Sequence, residues 1–550
     1  MIATEPGATS VVPVAEETTL VIWRAGACEK ATEPIVNRSI KKRVVICIPT
    51  DKDVTRGTNG DTRRSVLRSK SMSQNGFNLA AIARQEMIER GFSPDFPPAV
   101  EQQLAGIHAQ PDPGLKDLTS LLWSSIDNDD SRDLDQVEWA ERTKDGIRVL
   151  VAIADVDALV SKGTPIDDHA AHETTTVYAG VRNFPMLPER LSTDLTSLSE
   201  AGDRAAVVMD MLIKADGSLD GGSVYRARIR NHAQLTYGAV GPWLEGAGPM
   251  PPKVAASPEL QAQLQLQNEA AMALRAERGR LGALSFDRVE TTAGVTDGHV
   301  GEVKARRSNR AAKLIEDFMI AANETMARTL RDAGVSSIRR VVKAPERWPR
   351  IVALAEEHGE KLPPEPDSGA LNAFLLRRKA ADPVHYPDVS LSVLKLMGPG
   401  EYVLSRKGDS EQGHFGLAAQ DYTHSTAPNR RFADLVTQRL LKSLGGMAPY
   451  TDEELDAIAR NCTLKEDAAR KVQRDMNKRI CAVGLQPRIG QTFSAVVTGV
   501  TPKGVFVRVL DPPVEGRLMR GEEGLDVGDR LPVKLLAADP QRGFIDFGRN

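Results

Sequence analysis

The spacing of hydrophobic and polar positions changes several times along this chain, and each change predicts a different element. From Asn78, apolar residues recur at helical spacing as far as Met87, and Gly91 follows, which predicts a helix that ends near residue 90. A second short helix is predicted over 99–106. The continuous apolar run at 147–155 predicts a strand that is buried on both faces.

The pattern remains mixed until the last part of the chain, where it becomes entirely β-like. Ser257 and the proline after it predict the start of a helix that runs to about residue 280. Further helices are predicted over 309–333 and 452–482. After Gly490, short alternating segments separated by turn residues predict a small closed barrel. The predicted fold class is therefore α+β, with a mixed α/β domain followed by a small all-β barrel.

Residues 1–71 differ from the rest because no helical or strand period lasts long enough to specify an element. We expect this extension to be mostly disordered. The regular pattern that follows Met72 also suggests that the native chain starts at that residue.

Composition excludes several classes of protein. The 550 residues carry a formal charge of −3, so any nucleic-acid surface must be a local patch. The four cysteines (Cys28, Cys47, Cys462 and Cys481) form no close pair, which argues against zinc sites and disulfides and favours a reducing compartment. The longest apolar run, 149–154, is too short to cross a bilayer, and no signal peptide is visible. We expect a cytoplasmic protein without a membrane segment.

The densest chemical signal is a group of five aspartates within nine positions: Asp127, Asp129, Asp130, Asp133 and Asp135. Like charges so close together repel one another and need compensation. A solvated loop would provide it, and so would a divalent cation. Hard oxygen ligands suit Mg²⁺, Mn²⁺ or Ca²⁺ better than zinc.

Two metal-binding interpretations compete for this group. Counted from Asp127, oxygen-bearing residues occupy the ligand positions of an EF-hand as far as Glu138. However, Arg132 stands where the sharp calcium-loop turn needs glycine, and the residues after Glu138 alternate like a strand. A calcium-binding module is therefore the remote alternative. The other interpretation is phosphodiester hydrolysis assisted by Mg²⁺.

A second segment supplies the cations that such hydrolysis needs. The sequence HFGLAAQDYTHSTAPNRRFAD at 414–434 places Arg430 and Arg431 after a turn that contains proline. Two adjacent guanidinium groups suit a phosphate clamp, because their planar donors can bind phosphate oxygens in pairs.

Residues 118–445 resemble the catalytic (RNB) domain of the ribonuclease II/ribonuclease R family of exoribonucleases. Four blocks carry the resemblance: IDNDDSRDLDQ at 126–136, VAIADV at 151–156 with VYAGVRNFPMLPERLSTDLTSL at 177–198, LIEDFMIAAN at 314–323, and HFGLAAQDYTHSTAPNRRFADL at 414–435. The final segment, with KGVFV at 503–507, resembles an S1-type OB fold. The resemblance implies processive 3′-to-5′ hydrolysis of single-stranded RNA to nucleoside 5′-monophosphates.

The resemblance also implies a role for each residue of the predicted catalytic centre. Asp127, Asp133 and Asp135 match the Mg²⁺-binding carboxylates, with Mn²⁺ as a possible substitute, and Asp133 and Asp135 are the catalytic pair. The fourth carboxylate of the family falls on Gln136, whose uncharged oxygen should bind the metal more weakly. Arg430 matches the arginine that stabilises charge on the scissile phosphate.

The implied RNA contacts lie outside this centre. Tyr178 matches the aromatic that stacks on the 3′-terminal base, and Phe286 would form the opposite wall of the stack. Tyr237 and Glu316 match positions that sense the ribose. Phe506 is the RNA-binding aromatic expected in the barrel.

The chain departs from the family at two further places. A carboxylate from the helix before the barrel falls near Ala469, and Glu466 would have to replace it. Only a helical pair fits between Met72 and Leu118, so we expect the two cold-shock barrels of ribonucleases II and R to be absent. The alternative function is an RNB-fold protein that binds RNA without cutting it.

We expect the protein to be a monomer. The predicted divisions of the chain follow from these matches. They are a disordered extension (1–71), a helical segment (72–117), the RNB domain (118–445), a helical connection (446–487) and the S1-type barrel (488–550).

Overall fold

The structure of the chain is a computed structural model. It describes residues 8–13, 19–24, 43–48, 78–108, 112–286, 289–296, 299–383, 386–409 and 413–549. The chain divides into two compact units, Met1–Lys70 and Ser71–Asn550. In the first, β1 (Ala8–Pro13) and β2 (Thr19–Arg24) are antiparallel, and β3 (Arg43–Ile48) is parallel to β2. Most of the extension predicted to be disordered, and Met72, lie outside the described residues, so both expectations stay predictions.

The second unit begins with the predicted helical pair, α1 (Leu79–Glu89) and α2 (Pro98–Ala105). The side chain of Asn78 accepts a hydrogen bond from the amide of Ala81 (3.0 Å), which caps the start of α1. Gly91 follows α1 with a positive φ of 81°. The helical spacing and the glycine therefore marked both ends of this helix correctly.

A six-stranded sheet forms the centre of the unit, and a separate hairpin lies beside it. The strands are β4 (Lys116–Asp117), β5 (Trp123–Asp127), β6 (Gln136–Arg142), β7 (Ile147–Ala154), the hairpin strands β8 (Val177–Tyr178) and β9 (Asn183–Phe184), β10 (Asp203–Ile213) and β11 (Ser223–Thr236). The sheet order is β10-β7-β6-β5-β11-β4, and β10 also pairs with β11. Because β7 lies inside the sheet, it is buried on both faces, as its apolar run predicted.

Helices and short strands surround the sheet. They are α3 (Pro165–Glu173), α4 (Tyr237–Leu244), α5 (Pro252–Ala255), α6 (Pro258–Arg280), β12 (Val289–Thr296), β13 (His299–Arg307), α7 (Arg310–Asp332), β14 (Ser337–Val341), α8 (Trp348–Glu357), α9 (Ser368–Ala381), α10 (Tyr386–Leu396), β15 (Glu401–Ser405), α11 (Phe432–Lys442) and α12 (Asp452–Leu485). The predicted cap is confirmed, because Ser257 caps α6, and Asn309 likewise caps α7. The inward face of α7 buries Leu314 and Phe318 in the main core.

Helix α12 connects the mixed domain to the barrel. A capping box between Thr451 and Glu454 fixes its start. Its last turns contribute Cys481, Ala482 and Leu485 to the apolar core of the barrel. The helix therefore links the two parts through continuous packing.

The barrel confirms the predicted closed β structure. Its strands are β16 (Thr492–Thr501), β17 (Gly504–Val509), β18 (Glu515–Arg520), β19 (Arg530–Asp539) and β20 (Phe544–Arg549). They close in the order β16-β17-β18-β20-β19. An ion pair between Arg508 and Asp388 joins the barrel to α10. Within the described residues, no helix is both long and apolar enough to cross a membrane.

Candidate active site

The acidic loop, residues 127–135, connects β5 to β6 and is held from one side. The amide of Leu134 donates to the hydroxyl of Ser197 (3.1 Å), and the amide of Leu198 donates to the carbonyl of Leu134 (2.9 Å). These bonds bring the sequence blocks at 126–136 and 177–198 together. The two blocks therefore form one structural unit.

The strand after this loop excludes the EF-hand interpretation. Glu138, which would be the last calcium ligand, lies in β6 and has no exposed surface. An EF-hand needs a helix at this point. Both carboxyl oxygens of Glu138 lack a hydrogen-bond partner, so this side chain is a buried acid rather than a ligand of a calcium loop.

Asp135 meets the arginine loop, residues 426–431, on its other side. The amide of Asn429 donates to Oδ1 of Asp135 (3.0 Å), and Nε of Arg430 lies 3.6 Å from Oδ2. The hydroxyl of Thr196 donates to the side-chain carbonyl of Asn429 (2.5 Å). Arg430 keeps 44% of its side chain exposed, whereas Asp135 keeps only 4%. A buried carboxylate and an accessible guanidinium therefore stand side by side.

Burial dominates the electrostatics of the acidic loop. It raises the pKa of Asp135 to about 7; Asp133 adds to the effect, and Arg430 and the Asn429 amide oppose it. Burial also raises the pKa of Asp127, although the amide of Asn128 (2.7 Å) and the hydroxyl of Ser131 (3.1 Å) donate to it. The cost of burying negative charge on these two aspartates thus exceeds the stabilisation that Arg430 provides.

The donor set of this loop suits a hard divalent cation. Carboxyl groups whose pKa is raised by burial are stabilised most, in their charged form, by a nearby positive charge. Gln136 is also buried and begins β6 directly after Asp135, and its place among the metal ligands stays a prediction. Among the described residues, no three His, Cys, Asp or Glu side chains converge as a metal site by themselves.

The hairpin of β8 and β9, called the Tyr178 hairpin below, completes the arrangement. Tyr178 is 38% exposed, and its hydroxyl donates to Oδ2 of Asp133 (3.2 Å). The amide of Thr176 donates to the carbonyl of Arg430 (3.0 Å), which ties the hairpin to the arginine loop. Tyr178 and Arg430 line a cleft of about 240 Å³, called the α12 cleft, whose opposite wall is α12.

Comparisons with known proteins agree with this geometry. A model of the RNB domain matches residues 115–445. The chain belongs to the RNB domain family. A model of the RNase II-type exonuclease C-terminal S1 domain matches residues 491–550, which form the closed barrel.

Relatives of this RNB protein include characterised and solved proteins. It is 30% identical over 538 residues to ribonuclease R of Escherichia coli K12, covering 89% of this chain and 65% of the relative. The solved Mycoplasma genitalium RNase R in complex with double-stranded RNA has a TM-score of 0.77 and 25% identity, covering 86% of this chain and 84% of that one. Yeast Ssd1, described as a pseudonuclease, shares the fold at a TM-score of 0.63 and 17% identity, covering 82% and 58%.

Arg431, the second arginine of the predicted phosphate clamp, makes a buried ion pair in the RNB structure. Its Nε and Nη2 atoms donate to the two carboxyl oxygens of Asp434 (2.8 and 2.7 Å), which is fully buried. Asp434 also accepts from the amide of Ala427 (2.8 Å). Arg431 is therefore engaged in a buried bidentate pair that braces the arginine loop. Both arginines of the predicted clamp line the cleft, and Arg430 is the more exposed of the two. An RNA contact of Arg431 stays a prediction.

The helix before the barrel brings a carboxylate to the same cleft. Glu466 lines it and pairs with Arg340 (2.6 and 3.0 Å) and with Arg470 (2.9 Å). Ala469 is buried one turn later. Glu466 therefore brings a carboxylate to this RNB cleft, and its replacement of the family's acid stays a prediction.

Glu316 and its neighbour Asp317, both on α7, have different surroundings. Glu316 keeps 56% of its side chain exposed and pairs with Arg275 (2.8 Å). Asp317 is fully buried and pairs with Arg275 (3.1 Å) and Arg310 (3.5 Å). Glu316 is thus the accessible one of the two.

Three other predicted RNA contacts lie on separate elements, and Tyr237 directly follows Thr236, whose strand partner is Asp127 of the acidic loop. Tyr237 begins α4, and its carbonyl accepts from the side chain of Asn309 (2.7 Å). Phe286 packs against the apolar cluster of α8, α9 and α10, and Phe506 is half-buried on β17. RNA contacts of these residues and of Glu316 stay predictions.

Sequence reasoning did not identify several residues that shape this RNB site. Asn429 orients Asp135 through a backbone amide, Asp434 braces the arginine loop, and Glu138 is a buried acid behind the acidic loop. Only Asp434 left a signal, because it follows Arg431 by three residues, a spacing that allows a salt bridge.

Proposed function

We propose that this chain is a processive 3′-to-5′ exoribonuclease that hydrolyses single-stranded RNA to nucleoside 5′-monophosphates with Mg²⁺ or Mn²⁺. One observation carries the proposal: the buried Asp135 lies 3.6 Å from the exposed guanidinium of Arg430, beside the accessible ring of Tyr178. This set combines the groups needed to hold a cation, a phosphate and a base.

Each group has a role that its surroundings support. Arg430 is free to donate to the non-bridging oxygens of the scissile phosphate, where negative charge grows during attack by water. Tyr178 offers a ring face to the 3′-terminal base, and stacking tolerates every base. Its hydroxyl bond to Asp133 couples the base platform to the acidic loop. The nucleoside 5′-monophosphate leaves once the phosphodiester bond is broken.

Asp127, Asp133, Asp135 and the amide of Gln136 would hold Mg²⁺. When bound, Mg²⁺ lowers the pKa of a coordinated water and stabilises charge on the attacking and leaving oxygens. The Asn429 amide keeps Oδ1 of Asp135 occupied, so Oδ2 is the atom that faces Arg430. The hydrogen bond thereby fixes the orientation of the carboxylate.

The barrel supplies a second binding surface for the same strand. OB folds bind single strands through aromatic faces and basic side chains, and half-buried Phe506 on β17 offers such a face. We expect the protein to act as a monomer in the cytoplasm, with RNA as its main partner.

The alternative is an RNB-fold protein that binds RNA without cutting it. Gln136 favours it, because an amide replaces a charged ligand. The fold similarity to a pseudonuclease shows that this fold also occurs in a protein described as not being a nuclease. The exposed Arg430 next to buried Asp135 favours the enzyme, since binding alone does not require that pair.

Incubation of 5′-labelled single-stranded RNA with Mg²⁺ separates these functions. The enzyme gives a ladder that ends in a short core, and Asp135→Asn abolishes it. Asp216→Asn, in the exposed turn after β10, is the matched control and should cleave normally. Intact RNA with a gel shift in the wild type would instead establish the binder.

A further inference from the structure

Helix α1 lies outside both regions that the family models match, yet its buried residues share one apolar cluster with the hairpin that carries Tyr178. We infer that α1 is a positioning element for Tyr178 and that Met87 is its central residue. The inference rests on the proposed function, because it assumes that Tyr178 stacks on the 3′-terminal base.

One apolar cluster joins three elements. Its buried members are Leu79, Ala83, Met87 and Phe92 from α1 and the loop after it, Val177, Ala179 and Phe184 from the Tyr178 hairpin, and Ala469, Val472, Met476 and Ile480 from α12. Side chains alternate along a strand. Val177 and Ala179 therefore point into the cluster while Tyr178, between them, points towards the cleft. The inward pair fixes where the outward ring stands.

The tip of the hairpin leaves no room for movement towards α12. Gly180 has a positive φ of 79°, and a Cβ atom there would lie 2.7 Å from Cδ1 of Ile480. Only glycine allows this approach without displacing the isoleucine. The hairpin is thus confined against α12.

Polar contacts join the C-terminal end of α1 to α12, and the loop after α1 to the segment before the hairpin. Glu86 pairs with Arg479 (2.7 Å), and both side chains are mostly buried. Arg90 pairs with Asp475 (2.7 Å). The amide of Ser93 donates to the buried carboxylate of Glu173 (2.8 Å), a few residues before Tyr178. The two ion pairs hold α1 against α12, and the hydrogen bond of Ser93 holds the loop after α1 against the segment that leads into the hairpin.

A merely structural α1 would cover the apolar face of α12 without affecting the stack. The structural role and the positioning role predict different effects of Met87 loss on the stacking of the 3′-terminal base. A displaced ring no longer stacks correctly, and misplacement by about 1 Å can lower a rate by roughly 100-fold. A variant that is only less stable overall should still stack the terminal base on Tyr178 when the assay is run well below its melting temperature.

The test uses full-length protein and RNA that carries 2-aminopurine at its 3′ end. Its fluorescence is quenched on stacking, and single-turnover cleavage is followed in parallel. Met87→Ala should lose most of the quenching and cleave about tenfold or more slowly, whereas Met87→Leu should restore both. Met211→Ala, equally buried on β10, is the matched control and should resemble the wild type.

Charge reversal tests the same inference if Met87→Ala does not fold. Glu86→Arg should reduce quenching, and the double variant with Arg479→Glu should restore it. The inference is overturned if Met87→Ala quenches and cleaves like Met211→Ala, or if Glu86→Arg leaves quenching unchanged. Wild-type protein that quenches the probe but never cleaves RNA would contradict the proposed function and leave the positioning role of α1 standing.

Discussion

Replacing Asp135 by asparagine should stabilise the metal-free protein at pH 8 while it removes activity. Burial raises the pKa of this carboxyl from 3.8 in an unfolded chain to about 7 in the folded protein. The folded state therefore holds the proton more tightly. The stability that the neutral acid provides is complete below pH 4 and is lost as the pH rises to about 7.

The size of the effect follows from that difference. About three pH units, at roughly 1.4 kcal/mol each, correspond to about 4 kcal/mol lost by the wild type at pH 8. Asparagine can still accept the hydrogen bond from the Asn429 amide, but Arg430 loses its charged partner. We therefore expect a net gain of about 2 to 4 kcal/mol in the free energy of unfolding.

Urea unfolding with EDTA measures this gain. The unfolding midpoint of Asp135→Asn should exceed that of the wild type at pH 8, and the difference should shrink at pH 5. Added Mg²⁺ should raise the wild-type midpoint at pH 8 by mass action and leave that of the variant nearly unchanged. A variant that is no more stable at pH 8, or is equally favoured at both pH values, would refute the reasoning.

Four other substitutions test single contacts. Tyr178→Ala should leave longer end products on a sequencing gel than Tyr178→Phe, which keeps the ring; equal lengths would exclude stacking. Arg430→Lys should lower kcat by about 10² to 10³ with little change in RNA affinity; an unchanged kcat would remove its catalytic role. Arg431→Met should lower the free energy of unfolding by about 3 to 5 kcal/mol, because it leaves the buried Asp434 carboxylate without a charged partner; lost RNA binding at unchanged stability would assign Arg431 to the phosphate clamp. Gln136→Asp should lower the Mg²⁺ concentration needed for half-maximal cleavage; an unchanged requirement would exclude it from the metal site.

Elements with a strong period were predictable from the sequence. Helix α7 and strand β7 have clear apolar patterns, and their bounds differ from the prediction by only a residue or so. Strand β18 was missed, since only Gly516 and Leu518 are buried among charged and exposed neighbours. Short half-exposed strands depend on their partners rather than on their own pattern.

The site was predictable in its residue types but not in its contacts. The charge pattern marked the group of aspartates and the adjacent arginines, and the family resemblance selected Asp135 and Arg430. Neither could show that a backbone amide orients the carboxylate. Adjacent arginines also look equivalent in a sequence, whereas burial beside Asp434 separates Arg431 from Arg430. These distinctions arise from loop packing, which leaves no period in the chain.

The packing of α1 against the Tyr178 hairpin was equally invisible. Met87 was predicted to lie on a buried helical face, and it does. Residues of α12 and of the hairpin, which are far away in sequence, complete the apolar cluster that buries this face. Periodicity identifies a buried face but not its partner.

One measurement tests the central claim most directly. RNA labelled at its last internucleotide phosphate is mixed with excess protein and Mg²⁺, and the products of a single turnover are separated. We predict that the label leaves first as a nucleoside 5′-monophosphate, and that Asp135→Asn releases none. Label that stays in intact bound RNA, or leaves in longer oligonucleotides, would contradict a 3′-to-5′ exoribonuclease.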